Sequence, residues 1–97
     1  MRNKTYSFYS DCGHGWLKVS LKDLYELGLF KSISSYSYIN GGYAFLEEDC
    51  DLSKFIIELE KRSLTFKYRN MKQSNNSRIR SYDRFSEHNA IYNMVQQ

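Results

Sequence analysis

The sequence predicts an α+β fold: a small, mostly antiparallel sheet of four to six strands with two short helices on one face. Three observations predict it. Short runs of strand-like alternation recur at residues 5–9, 16–19, 36–39, 43–48 and 64–68. Asn40, Gly41 and Gly42 separate two of these runs, and Asn-Gly between β-rich segments is the strongest short hairpin signal. Clear helical spacing occurs only after Ser20 and after Asp51, too seldom to alternate with parallel strands in a doubly wound fold.

Each element has its own justification. Residues 5–9 place Tyr6 and Phe8 on one face, and residues 10–15 (SDCGHG) form a loop in which Gly13 and Gly15 flank His14. Residues 16–19 alternate again. Ser20 is the predicted N-cap of a helix of about eight residues, with Asp23 in its first turn. Its apolar stripe is Leu21, Leu24, Tyr25 and Leu27, and Gly28 is the stop. In the hairpin, a two-residue Asn40-Gly41 loop is expected over Gly41-Gly42, because it pairs Tyr38 with Tyr43 and Tyr36 with Phe45 and gathers four aromatics on one face, a clustering that the other loop is expected to lose. Asp51 or Ser53 caps a second helix over 52–62, with Leu52, Phe55, Ile56 and Leu59 inward and Glu58 paired with Arg62. Residues 64–68 form a strand, 69–77 a polar loop and 78–82 a last short strand. The final segment, 86–97, has weak helical periodicity and is expected to fray.

The chain of 97 residues is one domain, 1–97. Hydrophobic residues are 41% and charged residues 26%, which excludes wholesale disorder, and the 16% of aromatics lets a small chain build a core. No apolar run reaches the roughly 18 residues of a membrane span, and the first residues lack a signal-peptide pattern. The expectation is a cytoplasmic protein without membrane contact. Cys12 and Cys50 are too few for a disulfide scaffold, so they are free thiols or metal ligands. Charge is unevenly placed: residues 1–60 carry six basic and nine acidic residues, net −3, while residues 61–97 carry eight basic and two acidic, net +6.

Two constellations carry candidate chemistry. The first joins Asp11, Cys12 and His14 to Asp49 and Cys50, two loop segments at strand ends whose thiolate, imidazole and carboxylate groups are zinc ligand types. The spacing is not that of a zinc finger. An enzymatic version would use His14 as base with Cys50 as nucleophile, or a zinc-bound water beside Glu48. No recognised hydrolase or phosphate-loop motif accompanies it, so no enzyme and no small-molecule substrate are expected. Plain alternatives stand beside it: His14 as a loop residue, Cys50 as a small buried hydrophobe, and the acidic run as a helix N-terminus. The second constellation is basic: Lys61, Arg62, Lys67, Arg69, Lys72, Arg78, Arg80 and Arg84, interleaved with Phe66, Tyr68, Tyr82 and Phe85. Cations neutralise phosphates and aromatics stack on bases, whereas the plain alternative is a solvated face.

Three blocks, SDCGHGWLKVSLKDLYELGL at 10–29, ISSYSYINGGYAFLEEDCD at 33–51 and SRIRSYDRF at 77–85, together resemble a family of small, mostly uncharacterised proteins of bacteriophages, prophages and other mobile elements. That family reads D-P-G-H-G-W, then I-S-x-Y-S-Y and L-E-E-D-C-D, then I-R-x-Y. This chain has Cys12 where the family has Pro. A shared ligand set is therefore Asp11, His14, Asp49 and Cys50, with Cys12 as an extra thiolate, and the resemblance favours a structural zinc. By analogy with small prophage proteins, it implies an inhibitor of a bacterial defence nuclease, an anti-CRISPR protein acting on a Cas9-type effector. Glu47, Glu48 and Asp51 would then grip the nuclease surface, and Lys67, Arg69, Arg78 and Arg80 would lie near its bound RNA or DNA. The alternatives are a small nucleic-acid-binding accessory protein and a zinc-dependent hydrolase.

Overall fold

The computed structural model describes residues 4–71 and 78–97. The chain forms β1 (Lys4–Ser10), β2 (Gly15–Ser20), α1 (Leu21–Glu26), β3 (Tyr38–Asn40), β4 (Tyr43–Glu47), α2 (Leu52–Lys61) and β5 (Phe66–Asn70). A 3₁₀ helix (Arg78–Ser81), β6 (Asp83–Arg84) and α3 (Glu87–Val95) follow. The strands make one six-stranded sheet in the order β5-β1-β2-β4-β3-β6, antiparallel throughout except where β5 joins β1. The predicted α+β class is the observed one.

Alternation along each strand separates two faces. Tyr6, Leu17, Val19, Ile39, Ala44 and Leu46 pack into one core with Leu21 and Leu24 of α1, Phe55 and Leu59 of α2, and Ala90 of α3. Three helices thus cover this face, one more than the sequence predicts. On the opposite face Trp16, Tyr38 and Phe45 form a smaller core, closed by Ile79 and flanked by Tyr9 and Tyr82.

Helix boundaries follow local chemistry. The Ser20 hydroxyl accepts from the Asp23 N–H, as an N-cap should. Gly28 takes φ +71°, while Leu29 N–H donates to Leu24 C=O and Gly28 N–H to Tyr25 C=O, a Schellman stop. Tyr25 does not join the predicted stripe; it is exposed and leans on Phe30. In α2 the ion pair of Glu58 with Arg62 forms at 3.4 Å. Asp51 occupies the N-cap position without capping the helix through its side chain.

Other expectations are corrected. The hairpin loop is Gly41-Gly42, with Asn40 opposite Tyr43 and Tyr38 opposite Phe45. Gly41 has φ +59° and Gly42 does not share a positive φ, the II′ pattern rather than I′. The register moves by an even number of residues, so Tyr38, Tyr43 and Phe45 keep a common face; Tyr36 lies outside the strand. The fifth strand runs to Asn70, so Arg69 and Asn70 belong to it rather than to a polar loop, whose residues 72–77 lie outside those described. Residues 78–81 form a 3₁₀ helix where a strand was expected, because Ile79 turns inward onto Trp16, Tyr38 and Phe45. The last segment is a capped helix: the Ser86 hydroxyl accepts from Asn89 N–H and Ala90 is fully buried. Among the described residues no helix is long and apolar enough to cross a membrane.

Candidate functional site

The loop between β1 and β2 is shaped by Asp11. Its carboxylate accepts from the backbone N–H groups of Gly13 and His14, each at 3.0 Å, and its own N–H donates to His14 C=O. Neither glycine beside His14 has a positive φ. Gly15 serves another purpose: it leaves room for the Phe8 ring, which a Cβ there would displace. Arg80 then clamps the loop, donating from Nε to Asp11 Oδ2 at 2.7 Å and from Nη2 to Oδ1 at 3.1 Å. This bidentate pair, with the two backbone donors, holds the Asp11 carboxyl well below the usual carboxylate range.

A second layer grows from the end of β4. Glu47 is 6% exposed, and its Oε1 accepts from Asp49 N–H and Cys50 N–H. Its Oε2 lies 3.7 Å from His14 Nδ1. The Glu47 carboxylate beside the Cys50 thiol, burial and the neighbouring acidic groups push the thiol's pKa up. Asp51 is wholly buried and accepts from Ser34 N–H, the Ser34 and Ser37 hydroxyls and Lys54 Nζ. Burial opposes its ionisation, but the Ser37, Lys54 and Ser34 donors outweigh burial and lower its pKa. Ser37 also accepts from the backbone N–H of Glu47, which ties the Asp51 carboxylate to the end of β4.

His14, Glu47, Asp49 and Cys50 line one cavity, while Asp11 is joined to its wall through Arg80. Cys12 is exposed. Among the described residues no three His, Cys, Asp or Glu side chains are grouped to hold a metal ion. Asp11 is occupied by Arg80, and the carboxylate that faces His14 is that of Glu47, which was not among the candidate ligands. The acidic trio proposed to grip a partner is also divided: Glu47 and Asp51 are internal, and only Glu48 is exposed. Sequence patterns alone do not distinguish a solvated acidic run from one folded inward onto serines.

Between these layers opens a cavity of about 340 Å³, lined by His14, Trp16, Tyr36, Tyr38, Glu47, Asp49, Cys50, Arg80 and Arg84. The three blocks that carry the resemblance, far apart in the chain, all reach it. Tyr36 and Tyr38 are not among the site residues that the sequence points to, and the Tyr-x-Tyr repeat at 36–38 is the available signal; Arg84 belongs to the basic constellation. Arg80 stands 5.4 Å over the Trp16 ring and Arg84 5.5 Å over Tyr38. The Trp16 indole N–H is buried without a hydrogen-bond partner among the described residues.

The basic set has a different fate from the acidic one. Lys67, Arg69, Arg78 and Arg80 are all exposed. The register sets Arg69 beside Ser7, Lys18 beside Phe45 and Arg84 beside Tyr38, so Lys67, Arg69, Lys18 and Arg84 lie on the face away from the helices. Glu47 is the acidic residue at the described strand positions of that face, and it is buried. No protein family, curated protein or solved structure matches this chain.

Proposed function

We propose that this chain acts by binding, and that its ligand is single-stranded nucleic acid laid across the sheet face away from the helices. The observation that carries this reading is the one-sided display of Lys67, Arg69, Lys18 and Arg84, with Arg78 and Arg80 exposed on the 3₁₀ helix above the same face. Cations spaced along a sheet track a phosphate backbone, and nearby aromatic rings favour unpaired bases over a duplex. The nuclease-inhibitor reading differs in one respect: RNA or DNA would be met while held by a Cas9-type effector, and of the acidic trio Glu48 alone would be free to touch the protein.

Fluorescence anisotropy with labelled single strands at several salt concentrations tests both. The expected result is binding that weakens steeply with salt, and a slope that falls by about 0.7 for each phosphate contact removed in Lys67→Glu and Arg69→Glu. Absence of salt-dependent binding to bare strands overturns the accessory-protein reading. Binding confined to RNA-loaded Cas9, with none to the empty nuclease, would favour the inhibitor in its place.

A further inference from the structure

We infer that the cavity between the loop at 11–14 and the end of β4 seats one unpaired guanine base. This inference rests on the nucleic-acid reading for its source of ligand, but on separate residues for its chemistry.

The cavity volume, about 340 Å³, falls in the range of roughly 300–1,000 Å³ typical of small-ligand pockets. Arg80 and Arg84 already cover the buried Trp16 and Tyr38 rings, so the exposed planar groups on its walls are the two guanidiniums and the Tyr36 ring, both kinds of surface on which proteins stack bases. Tyr36, 63% exposed on its rim, is free to close over a planar ligand. A buried carboxylate stands inside. A carboxylate offers about four lone-pair positions. The Asp49 and Cys50 N–H groups use two of those, both on Oε1 of Glu47. The side of Oε2 toward His14 keeps acceptor capacity, because the imidazole at 3.7 Å lies beyond hydrogen-bond length.

An acceptor in that position selects among bases. Guanine presents two adjacent donors, N1–H and the 2-amino group, to the two open lone pairs of Oε2. Adenine and cytosine each present an amino donor next to a ring nitrogen lone pair, which the carboxylate repels. Uracil flanks its single N–H with two carbonyl oxygens. The guanine O6 beside N1–H requires a donor, and an imidazole N–H of His14, next to Oε2, is placed to supply it.

Trp16 is the sole tryptophan and lines the cavity, so its emission reports occupancy directly. The probes are GMP, AMP, CMP, UMP, inorganic phosphate, and labelled oligonucleotides with and without guanine. GMP is expected to change Trp16 emission with an affinity about tenfold or more above AMP, as expected for one good base-edge contact. Glu47→Gln keeps Oε1 as acceptor for the loop and should bring GMP down to the AMP level without loss of the cooperative melt. Tyr36→Ala, at an exposed position, should weaken all four nucleotides alike. Equal responses to GMP and phosphate, or unchanged GMP preference in Glu47→Gln, would overturn the inference. Salt-dependent oligonucleotide binding indifferent to guanine, with Trp16 silent, would defeat the base site and leave the backbone-binding reading standing. GMP discrimination without any oligonucleotide binding would do the reverse.

Discussion

Asp51 shows how a single carboxylate can organise a fold from inside. Four donors from Ser34, Ser37 and Lys54 converge on it, and Ser37 passes the constraint on to Glu47. Asp51→Ala would leave the buried Ser37 hydroxyl and the Ser34 N–H without their acceptor. The expected loss is at least about 2 kcal/mol, read from urea unfolding. The sign of the pH effect follows from its lowered pKa. The unfolded carboxylate binds a proton at a higher pH than the folded one, so this stabilisation is present above the unfolded value and disappears as pH falls through the folded value. Asp11 shifts in the same direction and adds to the effect. Unfolding midpoints should fall between about pH 5 and pH 2, and more shallowly in Asp51→Asn than in the parent. Charge pattern pointed to Asp51 as a surface contact. Two of the serines that bury it lie in a segment distant in sequence, and no local rule links them to it.

At the scale of elements, α1 and α2 end in the same way with different residues. Both close with a Schellman pair of hydrogen bonds, but α1 uses Gly28 and α2 uses Ser63, which has φ +59°. A serine held in the left-handed region costs about 1–2 kcal/mol, less the extra flexibility that glycine brings to the unfolded chain. Ser63→Gly should therefore raise stability by about 0.5 kcal/mol in chemical denaturation. The hairpin gives the opposite test. Gly41 has a positive φ and Asn40 does not. Gly41→Val should cost about 1–2 kcal/mol, while Asn40→Ala should stay within about 0.5 kcal/mol, both read as shifts in melting temperature. The Ser20 cap, the Gly28 stop and the apolar stripe of α2 were legible because each depends on residues within one or two turns. The hairpin register was not, because either pair of loop residues satisfies the local turn chemistry. What decides between them is the pairing of Tyr38 with Phe45 under Ile79, a contact from far along the chain.

For the whole molecule, the contrast between a −3 body and a +6 C-terminal third was legible as charge; of its basic residues Lys67, Arg69 and Arg84 stand on the sheet face away from the helices, while Lys61 lies on α2. The role of the last helix was not legible, since its periodicity is weak and its value lies in a buried Ala90 and in Met94 packed on the main core. A chain ending after Ser86 should melt at a lower temperature than the full chain. The parallel seam between β1 and β5 has a further consequence, for the order of folding. Lys4 must find Phe66, and β5 reaches it only after α2 has carried the chain from β4 to the far edge. Closing so long a loop is slow, and it is rewarded only once the antiparallel strands exist as a template. The N-terminal strand of a nascent chain therefore waits with an open edge until residue 70 has left the ribosome. In stopped-flow kinetics, Phe66→Ala should speed unfolding and leave the folding rate close to that of the parent. A matching slowdown in folding would mean instead that this seam is already closed at the barrier, and that the sheet is assembled from its edge inward.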